Sequence, residues 1–273
     1  MGVKNYAIAL RLERAEAEAN IAFVEARAAL APDVGAAWQA IDGTLAMFDG
    51  VGSPLTQTFG LGLFEPFDAA TIPNLEAFFF SRGAAVNHEV CEAASPGTAS
   101  ALADHGYVPI EHSHVLHRSL LTPLPIPPRP SGGPTTRFVT SAEYELWSRV
   151  AARGWNESPE HESFLRDFGA LSARTRGFRC FAAEIDGAMI ATAGITIHKR
   201  VGLLAGASTV AAYRGRGAQS ALLAARLAYA RGQGCDLALI VTAPDSTSQQ
   251  NAERAGFSLE YGRTKFSKAA RVL

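Results

Sequence analysis

The sequence predicts an α/β protein built on mixed sheets and divided into two domains. Three observations carry this: a Pro- and Gly-rich stretch near the middle, a second half that reads helix, strands, helix, strand, helix, strand, and a first half that repeats part of that order at an offset of 256 − 106 = 150 residues. A chain of 273 residues also lies where single cores tend to divide, at about 250 to 300 residues.

Residues 122–134 read TPLPIPPRPSGGP. Proline lacks the N–H that a helix or sheet interior needs, so this density of proline excludes both and leaves an extended segment with a flexible Ser131-Gly132-Gly133 end. The expected division is a first domain over 1–121, a linker over 122–134 and a second domain over 135–273.

In the second domain, Tyr144 to Ala152 carries apolar residues at helical spacing, Gly154 marks a break, and another helix is expected around His161 to Ala173. Phe178 to Ile185 and Ala188 to His198 read as strands joined by Asp186-Gly187, a strong signal for a two-residue hairpin turn. Val201 to Val210 is the next strand. Gln219 to Arg231 is a long apolar helix that stops at Gly232-Gln233-Gly234, where glycine supplies a left-handed cap. Leu237 to Thr242 follows as a buried strand, Ser246 or Thr247 caps a short helix to Ala255, and Gly256-Phe257 turns into a final strand towards Phe266.

Composition narrows the function classes. Hydrophobic residues make up 48% and charged residues 19%, a globular balance. With 25 basic and 26 acidic residues the net charge is −1, so no overall field draws in nucleic acid or an anionic membrane, and neither is an expected partner. No run approaches the ~20 apolar residues of a membrane span, and the opening MGVKNYAIAL lacks the pattern of an export signal. Cys91, Cys180 and Cys235 fit neither a disulfide framework nor a CxxC metal spacing, which makes a reducing cytoplasm the expected compartment. His112 and His114 would share one face of a strand, but no cysteine or carboxylate pattern completes a tetrahedral set, so no metal is expected.

The chemistry concentrates in Tyr213-Arg214-Gly215-Arg216-Gly217-Ala218-Gln219, between a strand and a long helix. Such a turn presents backbone N–H groups and the positive end of the helix dipole to an anion, and a pyrophosphate suits it. Gly215 and Gly217 allow close approach of the backbone, and Arg214 and Arg216 add charge. The lysine and hydroxyl of a P-loop are absent after Gly217, which disfavours ATP, and the lack of a GxGxxG disfavours NAD.

This loop resembles the acyl-CoA-binding motif of the GNAT superfamily of N-acyltransferases, which reads Gln or Arg, two residues, Gly, one residue, then Gly or Ala. Arg214 and Gly217 fit, and Gln219 departs from the last small residue while keeping its backbone N–H at the helix start. The resemblance continues through Ala221 to Ala228, Leu237 to Thr242 and Ser248 to Phe257, and covers about 130 residues. It implies two strands that splay apart and hold the pantetheine arm of acetyl-CoA like an added strand. It assigns cofactor binding to Thr209, Val210, Arg214, Gly215, Arg216, Gly217, Ala218, Gln219, Ser248 and Asn251, and polarisation of the thioester carbonyl to the Val210 backbone N–H. For Ser248 and Asn251, solvating or capping the short helix is the alternative role.

Many GNAT enzymes carry a tyrosine on that short helix as proton donor to the departing thiolate; Ala252 stands there in this chain. Tyr261 on the next strand is the candidate substitute, with simple packing as its alternative. The strand Leu203 to Ser208 holds no carboxylate, so the candidate base is Glu157, with His161 four residues on and His198 as further options, or water. A solvated surface pair is the alternative for Glu157 and His161.

At the 150-residue offset, Ala93 to Thr98 overlies Ala243 to Ser248, Ala99 to His105 overlies Gln249 to Ala255, and Val108 to Leu116 overlies the last strand. Phe64-Glu65-Pro66-Phe67-Asp68 stands where Arg214 to Ala218 stands, replacing glycine and arginine by rings, a proline without N–H and two carboxylates. The first domain is therefore expected to be a degenerate GNAT-like copy that cannot hold CoA, in the place of a second subunit. Whether the chain is a monomer or a homodimer stays open. The expected function is transfer of an acetyl group from acetyl-CoA to an amine of a small molecule or peptide; the alternative is a CoA-binding sensor or interaction module without catalysis.

Overall fold

A helix of 25 residues, α1 (Tyr6–Leu30), leads the chain, with the Asn5 side chain accepting from the N–H groups of Ala7 and Ile8 at its start. In this computed structural model the described residues are 5–122, 132–155 and 161–270. They pack as two units, the first made of Met1–Leu116, Val241–Gln250 and Ser258–Leu273, the second of His117–Ile240 and Asn251–Phe257.

In the first unit, β1 (Ala37–Ile41) and β2 (Thr44–Phe48) form an antiparallel hairpin over Asp42-Gly43, both at positive φ. β3 (Gln57–Phe59) runs antiparallel to β2, and α2 (Ile72–Phe80) leads to β4 (Val86–Cys91), parallel to β3. α3 (Thr98–Asp104) and β5 (Val108–Ser119) follow. The last strand of the chain, β11 (Ser258–Lys268), also belongs here: it pairs antiparallel with β4 from Arg263↔Cys91 to Lys268↔Val86, with β5 on its other side. Ile41, Phe48, Ile72, Phe79, Val86 and Phe266 belong to one buried cluster.

Residues 258–270 thus pack with the first part of the chain and not with the segment that precedes them, a grouping that a single cut at 122–134 does not produce. The cause is six register pairs with β4, reinforced by buried ion pairs from Arg263 and Lys265 to Glu13, Glu16 and Glu89. Most of the expected linker, residues 123–131, lies outside the described residues.

The second unit has β6 (Thr135–Phe138), α4 (Tyr144–Trp155), α5 (Glu162–Arg174), β7 (Arg179–Ile185), β8 (Ala188–His198), β9 (Val201–Thr209) and α6 (Ala218–Gly232), then residues 237–240 of β10 (Leu237–Thr242) and 251–254 of α7 (Thr247–Arg254). Strands β6 to β9 are antiparallel neighbours in order, and β10 pairs with β9 in parallel. The Asp186-Gly187 turn has both residues at positive φ, as its sequence predicts. Trp147, Ala151, Cys180 and Ala182 form the core under α4, and Trp147 Nε1 donates to Phe181 O at 2.9 Å.

Gly154 does not break the helix there. It lies inside α4, where an added Cβ would stand 2.5 Å from Ser208 Oγ and 2.8 Å from Thr209 N. The glycine is required for contact between α4 and β9, and helical propensity yields to that packing.

The repeat seen in sequence has a structural counterpart. β5 begins at 108 and β11 at 258, and 258 − 108 = 150. Each is preceded by a short helix, α3 or α7.

Candidate functional site

The strongest site is the turn from β9 into α6. Gly215 and Gly217 have φ of +77° and +82°, the left-handed region that glycine enters without a Cβ penalty, and no atom lies within 4 Å of where either Cβ would stand. Gly217 is the N-cap of α6 and offers no side-chain cap. The first intrahelical bond runs from Ala221 N to Gly217 O at 3.0 Å, so the N–H groups of Ala218, Gln219 and Ser220 have no acceptor within the helix. Three donors, an open glycine surface and the positive end of a 15-residue helix are the features that an anion site requires.

Side chains brace the turn. Arg214 donates from Nε to Thr209 O at 3.4 Å and from an Nη to Gly154 O at 3.2 Å, so its guanidinium ties the end of β9 to the last turn of α4. Arg214 therefore keeps its charge beside the loop with two of its donors used within the protein. Gln219 Nε2 donates to Thr209 Oγ1 at 2.7 Å, which explains how this chain accommodates a long side chain at that position. The exposed Arg216 lies 5.4 Å over the Tyr213 ring.

β9 itself is bent. Its register with β8 passes from Thr192↔Ser208 to Gly194↔Ala205, so Gly206 and Ala207 oppose Ala193 alone, a β-bulge. Gly206 has φ of +62°, which the extra residue needs. Pairing with β10 ends at Leu203↔Leu239, although β9 continues to Thr209. The edge of β9 beyond Leu203 is therefore without a ladder partner on the β10 side.

This geometry corrects the assignment of Val210. Its N–H donates to Ile190 O at 3.0 Å and is spent on β8. Strand alternation then turns the N–H and C=O of Thr209, one residue earlier, to the opposite edge, and Arg214 reaching Thr209 O is consistent with that. Thr209 is the residue whose N–H faces the unpaired edge. Ser208 is fixed between Thr192 Oγ1 at 3.0 Å and Ala151 O at 3.1 Å.

Tyr261 is corrected as well. It is 2% exposed in the first unit, and its hydroxyl donates to Glu13 Oε1 at 2.8 Å. Burial, then the nearby Glu13 carboxyl, hold the phenol well above its ordinary range. It is an internal strut and not a proton donor to a thiolate. Glu13 is pushed up to about 7, chiefly by burial against the opposing pull of Arg263. Glu13, Glu16 and Glu89 lie around Arg263, and Glu13 is the most buried of them.

Of the remaining candidates, Glu157 lies outside the described residues. His161 is exposed at the start of α5, and His198 is half-buried at the end of β8. Ser248 is exposed on α7, and the amide oxygen of Asn251 accepts from Arg254, in keeping with a local helix role. Ala252 is buried. One residue that sequence reasoning passed over is Arg226, buried in the middle of α6; a lone charge in an apolar helical run was its signal.

The equivalent turn in the first unit is closed. The N–H groups of Leu63 and Phe64 both donate to Gly60 O at 2.9 Å, and Phe67 N donates to Ser95 Oγ at 3.3 Å. Thr98 Oγ1 lies 2.5 Å from where a Cβ on Gly62 would stand, and Arg14 covers the Phe64 ring at 3.6 Å. Asp68 caps the next turn by accepting from Ala70 N. The N–H groups of Leu63, Phe64, Phe67 and Ala70 are thus consumed within the protein.

Among the described residues no group of His, Cys, Asp or Glu could hold a metal ion, and no described helix is long and apolar enough to cross a membrane. Residues 141–257 match the family described as the acetyltransferase (GNAT) family. No curated protein sequence matches the chain. Similar solved structures include a GCN5-related N-acetyltransferase from Kribbella flavida, 22% identical over 93% of this chain and 97% of that one, with a TM-score of 0.64. A tandem GNAT protein from the clavulanic acid biosynthesis pathway is 17% identical over 84% of this chain and 79% of that one, with a TM-score of 0.60. A GCN5-related N-acetyltransferase from Sphaerobacter thermophilus is 17% identical over 84% and 81%, with a TM-score of 0.57. At these identities what is shared is the fold.

Proposed function

We propose that the chain, whose residues 141–257 match the acetyltransferase (GNAT) family, transfers an acetyl group from acetyl-CoA to an amine of a small molecule or peptide. The observation that carries the reading is the open glycine turn at the start of α6, with free N–H donors, beside the unpaired edge of β9. The pyrophosphate meets the N–H groups of residues 215–220, and the pantetheine arm runs along β9 as an added strand. The Thr209 N–H takes the role first given to Val210 and polarises the thioester carbonyl. Ser248 and Asn251 remain proposed pantetheine contacts.

In the reaction the neutral amine attacks the carbonyl carbon, the C–S bond breaks, and the thiolate leaves with the electron pair. The ammonium proton passes to water or to a group near α4 and α5, and the thiolate is protonated from solvent, since Ala252 and the buried Tyr261 offer no donor. The products are an amide and free CoA. The three buried free cysteines suit a reducing, cytoplasmic setting. We propose one CoA on each chain, because in the loop at 60–71 the N–H groups of Leu63, Phe64 and Phe67 are spent within the protein and Pro66 has none.

The burial of Tyr261 also favours a second reading, a CoA-binding module without turnover. Thiol release from acetyl-CoA against an amine panel separates the two: amine-dependent release supports the transferase, and tight binding with no release under any amine supports the module.

A further inference from the structure

Arg226 lies two turns into α6 and is 3% exposed. Its Nε donates to Leu222 O at 3.3 Å, and one Nη donates to Gly194 O at 3.2 Å and Ala205 O at 3.4 Å. Gly194 and Ala205 are the register pair that borders the bulge in β9. A bulge interrupts the ladder and leaves carbonyls short of donors, and the guanidinium supplies them. No carboxylate pairs with Arg226 among the described residues, and burial pushes its pKa down to about 9. Burying an unpaired charge is costly, and a methionine of similar length would fill the same space without that cost. The rest of the bulge is built to the same end: Gly206 takes the left-handed conformation, and the Phe178 ring lies where Gly194 would carry a side chain.

We propose that Arg226 is a positioning residue for the thioester: by holding the carbonyls that border the bulge, it sets the edge of β9 so that the Thr209 N–H is aimed at the acyl carbonyl. The inference rests on the acyl-CoA reading above. It predicts a separation of effects, because the pyrophosphate site at the start of α6 does not involve Arg226.

The test uses full-length protein with R226M and R226K, titration calorimetry with CoA and with acetyl-CoA, and infrared difference spectra of acetyl-CoA bearing an isotope-labelled thioester carbonyl. Wild type is expected to bind and to lower the carbonyl frequency of the bound thioester. R226M is expected to bind CoA within about threefold of wild type, with the carbonyl frequency returned towards the free value and thiol release down by about 30-fold or more. R226K, which keeps the charge but not the planar fork, is expected to fall between and carries the test alone if R226M does not fold. Failure of wild type to bind either ligand overturns the acyl-CoA reading and this inference with it. Binding with a lowered carbonyl frequency in wild type and an identical frequency in the variants overturns the role of Arg226 alone. Equal weakening of CoA binding and carbonyl polarisation, with a lower melting temperature, also overturns it, because that is the signature of a purely structural residue.

Discussion

Replacing Gly217 by Asp places a carboxylate at the anion site, and Gly217→Asn is its neutral control. Both side chains enter open space, since nothing lies within 4 Å of the added Cβ. Both incur the same penalty for a side chain at φ of +82°, about 1 kcal/mol or somewhat more, in free and bound protein alike, so it cancels in a comparison of affinities. What differs is charge. A carboxylate about 5 Å from one pyrophosphate charge is opposed by about 1 kcal/mol in a water-like dielectric and about 3 kcal/mol at the effective value near a protein surface. With two such charges the weak limit is about 1.7 kcal/mol, or roughly 15- to 20-fold in Kd between G217D and G217N. Titration calorimetry with acetyl-CoA measures this, with circular dichroism confirming that both variants fold. Raising the salt from about 0.05 M to about 0.5 M should narrow the gap, because exposed charges are screened. Equal affinities for the two variants at low salt would refute the placement of the pyrophosphate.

Glu13 has a folded pKa of about 7 against an ordinary 4.5, so the folded state binds more protons across that interval. Its contribution is fully present below about pH 4.5 and is lost as pH rises through about 7, an effect of roughly 3 kcal/mol. Urea titrations should show wild type losing about that much relative to Glu13→Gln between pH 4 and 8, and parallel pH curves would contradict it. Tyr261→Phe removes a buried hydrogen bond and should lower stability by about 1 to 2 kcal/mol in urea while leaving CoA affinity and thiol release unchanged. An alkaline limb in the wild-type rate profile that vanishes in the mutant would restore Tyr261 as an acid. Gly154→Ala drives a Cβ into Ser208 and the Thr209 backbone and should cost about 1 to 3 kcal/mol, read as a lower denaturation midpoint; an unchanged midpoint would mean that α4 and β9 do not pack as described.

The parts legible in sequence are those set by local chemistry. Asp186-Gly187 specifies its hairpin by backbone preference alone, Leu237 to Thr242 is a strand because its run is apolar and bounded, and Gly215 and Gly217 mark their turn by needing positive φ. The rest depends on distant partners. Whether Val210 or Thr209 faces the open edge is decided by the register with β8, and a one-residue bulge resets that parity with no periodic trace. Tyr261, Arg263 and Lys265 repeat with the two-residue period of a strand face, yet their meaning as a buried polar layer appears only once Glu13 and Glu16 on α1 are set against them. Gly154 looks like a helix breaker until β9 is placed beside it. Arg226 was visible as a charge in an apolar helix, but the carbonyls it serves come from two strands remote in sequence.

The central claim is a single acyl-CoA site at the start of α6, with its counterpart in the first unit closed. Native mass spectrometry of the full-length chain titrated with acetyl-CoA counts the bound molecules directly. One bound CoA per chain is the predicted result, and in G217D the occupancy falls steeply at the same ligand concentration. Two bound molecules per chain, or one that persists undiminished in G217D, would contradict it.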